Sequence, residues 1–110
     1  MAEGSPTIST HILDTALGRP AAGVRVTLER LAADGSATPA GDGRTDDDGR
    51  VRRLLDGELT PGAYRLTFHL DDPARFFRRV TLDVVVRDAG RSYHVPLLLA
   101  PYGVTSYRGS

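Results

Sequence analysis

Apolar and polar residues alternate along much of this chain. Val24, Val26 and Leu28 are interleaved with Arg25, Thr27 and Glu29. Tyr64, Leu66, Phe68 and Leu70 are interleaved with Arg65, Thr67 and His69, and Val80, Leu82, Val84 and Val86 with Thr81, Asp83, Val85 and Arg87. A period of two marks strands that bury one face. Gly18-Arg19-Pro20, Asp34-Gly35, Asp48-Gly49, Pro61-Gly62 and Ala89-Gly90 supply turns between them. The pattern predicts strands over 7–14, 23–31, 43–45, 63–70, 77–87, 91–98 and 104–108, with a shorter one over 50–54. Residues 32–41 are rich in small side chains and read as a loose hairpin loop. One helical turn is expected near 72–76, capped by Asp71 or Asp72 with Pro73 in its first turn. Short strands at this spacing point to an all-β sandwich or barrel. Residues 1–6 are expected to be a flexible N-terminus, and 7–110 one domain.

Composition narrows the chemistry. The chain has 110 residues, no cysteine and a formal net charge of zero. Disulfides and thiolate metal sites are excluded. Lysine, asparagine, glutamine and tryptophan are absent, and all 14 basic residues are arginine. These arginines are scattered, which argues against a nucleic-acid or anionic-membrane footprint. The longest apolar run, 95–100, is far short of a membrane span and contains Pro96. No secretory or organelle address is evident at either end, so a cytoplasmic location is expected.

The histidines lie on polar faces. In the first strand Ile8 and Ile12 share one side, and Ser9, His11 and Leu13 the other. In the strand over 91–98, Tyr93, Val95 and Leu97 share one side, and Ser92 and His94 the other. Such a face is either a solvated sheet surface or a site, and an imidazole suits acid–base chemistry near neutral pH. By local sequence Arg44 reads first as a surface arginine of a charged hairpin; its functional reading is a planar donor fork for ligand oxygens. Asp46-Asp47-Asp48-Gly49 does not fit a calcium loop: with its glycine at Gly49, such a loop needs an acid at position 44 and glutamate at 55, where Arg44 and Leu55 stand. No zinc-ligand spacing or phosphate-binding glycine loop is present, and neither metal nor cofactor is expected.

Four ordered stretches together resemble one family. They are Ser9-Thr10-His11-Ile12-Leu13-Asp14, Arg44-Thr45-Asp46-Asp47-Asp48-Gly49-Arg50, Tyr93-His94-Val95-Pro96-Leu97-Leu98-Leu99 and the closing Tyr107-Arg108-Gly109-Ser110. They are similar to segments of the transthyretin-like hydrolases that act on 5-hydroxyisourate, and the terminal tetrapeptide marks hydrolases as against transthyretins proper. The resemblance implies a two-sheet transthyretin-like β-sandwich with one short helix, assembled as a homotetramer with its sites in a channel between dimers. It implies catalytic roles for His11, Arg44 and His94, and substrate binding by Tyr107, Arg108, Gly109 and Ser110. His69 matches none of the motifs and reads as surface. Arg78 stands where the family commonly has proline, Asp46 where asparagine is common, and 71–75 is short for its region, which bears on the helix and the nearby loop.

The implied reaction is the opening of a cyclic amide, in purine breakdown, by water that His11 or His94 activates. Arg44 would hold carbonyl oxygen, and the tail would fix the ring. Two rivals remain: a non-catalytic transthyretin-like carrier of a small ligand, and an immunoglobulin-like adhesion module whose polar faces are simply wet. Spectral decay of freshly made 5-hydroxyisourate separates the three, because only an enzyme accelerates it.

Overall fold

A computed structural model of the chain describes residues 4–109. The expected flexibility of residues 1–6 falls partly outside that range, and the expected place of Ser110 in the site falls wholly outside it. Ser5, within the range, is tied down, its carbonyl accepting from Arg53 at 3.0 Å.

The strands are β1 (Ile8–Asp14), β2 (Arg19–Pro20), β3 (Arg25–Leu31), β4 (Ala37–Arg44), β5 (Arg50–Val51), β6 (Gly62–His69), β7 (Arg79–Val86), β8 (Tyr93–Leu99) and β9 (Val104–Ser106). One sheet runs β2-β1-β8-β9, with β5 also paired to β1; the other runs β4-β3-β6-β7. β1 and β8 are parallel, and every other pairing is antiparallel. The alternation read from the sequence is the one observed. In β1 the residues Ile8, Thr10, Ile12 and Asp14 are buried, and Ser9, His11 and Leu13 between them are only partly so.

The inner faces meet in one core that includes Ile8, Ile12, Val26, Leu28, Leu66, Phe68 and Leu97, each at most 1% exposed. Burying side chains of this size contributes about 1.5–3 kcal/mol apiece. Tyr64 closes one end with its ring buried. Its hydroxyl donates to the Thr60 carbonyl at 3.1 Å and accepts from Arg30 at 2.9 Å. A buried phenol needs such partners.

Two local expectations are corrected. Residues 37–41 are not loop but the first part of β4. Their inward positions give no hydrophobic signal because backbone and side chains of the next segment crowd them: a Cβ on Gly41 would collide with the Leu54 carbonyl, and one on Gly43 would lie 3.0 Å from Val51. Pro39 is tolerated because β4 is an edge strand with a register shift opposite Leu28 and Glu29. Second, no helix occurs among the described residues. Asp72 closes a single turn instead: its carboxylate accepts from Ala74 N–H at 2.9 Å, and its carbonyl from Arg75 N–H at 3.0 Å. The β6–β7 ladder is already closed by Leu70 N–H to the Arg78 carbonyl, 2.8 Å. The connection left between them is too short to repay helix nucleation.

Candidate active site

The turn after β4 explains how one arginine reaches β1. Asp46 folds the chain back on itself. Its carboxylate accepts the N–H groups of Arg50 and Asp48, each at 2.9 Å, and its own N–H donates to the Arg50 carbonyl at 2.9 Å. The bond from Arg50, more than that from Asp48, holds the Asp46 carboxyl below its ordinary pKa. This acid is thus committed to its own backbone. Gly49 has φ +76° and passes its carbonyl to Ile12 N–H at 2.8 Å. A Cβ there would stand 2.5 Å from the Ile12 carbonyl oxygen, so only glycine lets the turn lie against β1. β5 follows at once, with Arg50 directly opposite His11 and Val51 opposite Thr10. Val51 is buried, so Arg50 shares the outer face with His11.

His94 reaches the same face from β8. Its partner across the parallel ladder is Ser9, while His11 pairs with Pro96. The two imidazoles are therefore diagonal neighbours, roughly 7–8 Å apart at their backbones. Ser9 Oγ lies 2.8 Å from His94 Nδ1. Burial pushes the His94 pKa below the ordinary histidine value, and the positive charges of Arg50 and His11 push it the same way. The neutral form of the ring is thus favoured. Ser9, Thr10, Arg50, Arg52 and His94 line a hollow of about 150 Å³.

The C-terminal segment docks on this histidine. After β9, Gly109 donates its N–H to the His94 carbonyl at 2.8 Å, in an antiparallel bridge. A Cβ on Gly109 would sit 2.5 Å from His94 Cδ2, so the glycine backbone lies against the ring edge. Arg108 turns elsewhere, its guanidinium carbon 4.7 Å from the centre of the Tyr93 ring. Tyr107 and Arg108 line a separate hollow of about 460 Å³ with Leu82, Val84 and Val85 of β7. Within one chain, Gly109 alone of the described tail residues meets the imidazole.

Arg44 is not brought to His11 or His94; it shares a hollow with His69 instead. It ends β4 in the other sheet, opposite Arg25, and donates to the Gly23 carbonyl at 3.0 Å in an exposed position. The arginine beside the imidazoles is Arg50, six residues on. A signal for it was available: an alternation through Arg50, Val51 and Arg52 that buries valine turns both arginines outward. What no local pattern supplied was the pairing of β5 with β1. Ser9 was likewise on the correct face but drew no role. His69 lies on the outer face of the other sheet, its Nε2 3.1 Å from Thr27 Oγ1, and burial followed by the Arg79 and Arg25 charges lowers its pKa. Among the described residues no group of three His, Cys, Asp or Glu is placed to hold a metal, and no helix is long and apolar enough to cross a membrane. The larger hollows, such as the 520 Å³ cleft between Leu17, Phe76 and Tyr102, hold neither His11 nor His94. The chemistry therefore identifies the site better than the volume does.

Two stacked sheets with β1 and β8 parallel at the centre of one, and acid–base side chains on its outer face, define a β-sandwich of the transthyretin type. The chain belongs to the HIUase/Transthyretin family, whose profile matches residues 8–109. It is 43% identical to a 5-hydroxyisourate hydrolase of Deinococcus radiodurans, over 97% of this chain and 98% of that protein. Among solved structures, Klebsiella pneumoniae 5-hydroxyisourate hydrolase superposes with a TM-score of 0.77 at 34% identity, covering 96% of this chain and 94% of the other. Sea bream transthyretin in complex with thyroxine superposes with a TM-score of 0.83 at 25% identity, covering 93% of each.

Proposed function

We propose that this chain is a hydrolase that opens the cyclic amide of 5-hydroxyisourate to 2-oxo-4-hydroxy-4-carboxy-5-ureidoimidazoline, a step in urate breakdown. The observation that carries this reading is the gathering of His11, Arg50 and His94 on one outer sheet face, where Arg50 and His94 line a common hollow. The near full-length similarity to hydrolases of that name supports it. A thyroxine-binding relative shares the fold at lower identity. A carrier, however, needs no neutral imidazole beside a guanidinium.

Neutral His94 removes a proton from water, whose oxygen adds to the ring carbonyl. Positioned proton transfer of this kind contributes roughly 10²–10⁴-fold. Arg50 stabilises the negative charge that builds on the carbonyl oxygen. His11 delivers a proton to the departing nitrogen as the C–N bond breaks, which leaves a carboxyl group and an N–H. In this scheme Arg50 takes the part first expected of Arg44, and Gly109 walls one side of the base.

One chain provides only part of such a site. Ligand pockets run roughly 300–1,000 Å³, and the hollow at His94 holds about 150 Å³. Leu17, Phe76 and Tyr102 are 62%, 66% and 81% exposed. This supports a homotetramer in which neighbouring copies enlarge the cleft and bring in Tyr107, Arg108 and Ser110; action in the cytoplasm is the rest of the reading. The direct test is to follow the spectral decay of freshly made 5-hydroxyisourate. Acceleration by the protein, lost in His11→Ala and His94→Ala variants that keep their β-sheet circular dichroism, is the expected outcome. Decay at the spontaneous rate overturns the reading.

A further inference from the structure

We propose that Ser9 is a positioning residue for His94: its hydroxyl, with the Gly109 backbone on the opposite edge of the ring, holds the imidazole in the tautomer that carries hydrogen on Nδ1 and leaves Nε2 bare. The inference rests on the proposed function only where it names Nε2 as the base.

The geometry comes from three strands. β8 lies between β1 and β9. From the β1 side, Ser9 Oγ stands 2.8 Å from Nδ1. From the β9 side, Gly109 crowds the Cδ2 edge so closely that it leaves no space for a Cβ. The ring is gripped by its two edges, and its distal end, Cε1 and Nε2, is left facing outward. Turning the ring over would place a C–H against Ser9 and forfeit the bond. Both neighbours are anchored by backbone pairing, Ser9 in the parallel ladder and Gly109 through its own N–H to the His94 carbonyl. The grip is therefore set by sheet register and not by a flexible contact.

A serine hydroxyl can donate or accept, so the bond alone does not choose the tautomer. The free end of the ring does: Nε2 is the nitrogen not engaged by Ser9, and a base must be bare at the atom that takes the proton. The groups facing His94 on this surface are His11 from β1, Arg50 from β5 and Arg52 just beyond it. Arg108, from the tail, is turned away over Tyr93. Arginine has donors and no acceptor. None of these arginines can accept a hydrogen bond from the ring, so Ser9 is the acceptor on the Nδ1 side. Nε2 is bare and Nδ1–H donates to Ser9. Burial, then the charges of Arg50 and His11, favour the neutral ring, which is the state in which a tautomer is defined.

The test is long-range ¹⁵N–¹H spectroscopy of the full chain labelled at histidine, without substrate, with His11→Gln and His69→Gln variants to assign His94. The expected spectrum has Nδ1 protonated and Nε2 bare above the His94 pKa. Ser9→Ala is expected to shift it toward Nε2–H, the form free imidazoles of peptides prefer, and Ser9→Thr to restore it. In the kinetic arm, Ser9→Ala is expected to lower kcat about tenfold, the scale of one lost hydrogen bond, with KM little changed. Ser9→Thr should recover most of the rate. An Nε2–H tautomer in the unmodified protein, or an unchanged tautomer in Ser9→Ala, overturns the proposal. Should Ser9→Ala fail to fold, the tautomer of the unmodified protein still decides. Should the tautomer be as expected while 5-hydroxyisourate decays no faster, the functional reading falls and the positioning role stands.

Discussion

Replacing Arg50 and Arg44 separately by alanine is the sharpest way to test the site, because the two lie six residues apart about one turn and the fold sends them to different sheets. Arg50 sits opposite His11 and contributes, after burial, to lowering the His94 pKa, so in the proposed mechanism its guanidinium acts at the reacting centre. Removing a pre-placed donor from a developing oxyanion typically costs about 2.7–4 kcal/mol, or roughly 10²–10³-fold in kcat. Arg44 makes one exposed bond to the Gly23 carbonyl. Its loss is expected to cost about 1 kcal/mol of stability or less and to leave the rate unchanged. The assay is the initial rate of 5-hydroxyisourate decay, with a thermal melt of each variant. The pH profile adds an independent reading. A base acts when unprotonated, and burial and, after it, the Arg50 charge hold the His94 pKa down. Removal of that charge lets the pKa rise, so the acidic limb of kcat/KM should move to higher pH. Arg50→Lys should keep the limb near its original place, since the charge remains. It should not restore the full rate, since the planar fork is gone. A rate loss in Arg44→Ala equal to that in Arg50→Ala, or an Arg50→Ala variant at the original rate, would refute the assignment.

Two further substitutions probe the frame that holds the site. Gly49→Ala forces a side chain into φ +76° and against the Ile12 carbonyl oxygen at 2.5 Å. The backbone term alone is about 1–2 kcal/mol, and relief of the clash must slide Arg50 away from His11. Activity should therefore fall further than the melting temperature suggests, and a variant with full activity would show that the turn does not set the site. Asp14→Ala removes a carboxylate that accepts from Ala16 and Leu17 N–H at 3.0 and 3.1 Å and from Arg75 at 3.1 Å. Burial raises its pKa, but the bonds from Leu17, Arg75 and Ala16 outweigh burial and hold it below 3.8. A depressed folded value means stability that is present above pH 3.8 and lost as pH falls through the folded pKa. The variant should lose about 2–3 kcal/mol at neutral pH, seen as a fall of roughly 10 °C in Tm, and the gap should close in stronger acid. An equal gap at both pH values would contradict this.

Which side of each strand is buried was legible in the chain itself, since strand geometry sends successive side chains to opposite faces and Ile8, Ile12, Leu66 and Phe68 declare the inner one. The outward placement of His11 and His94 followed from the same rule, and so did that of Arg50 once Val51 is taken as buried. β4 was partly hidden because glycine at its inward positions leaves no hydrophobic mark, and the expected helix was lost to a loop closed early by Leu70 and Arg78. Only the tertiary structure decided which outward residues meet. Ser9 and His94 are 85 positions apart, and Arg50 reaches His11 through a turn pinned by Asp46 and Gly49. Register between distant strands depends on cooperative packing of the whole core and on a few close backbone approaches. No window of neighbouring residues contains that information, and so the face was readable while the choice of Arg50 over Arg44 was not.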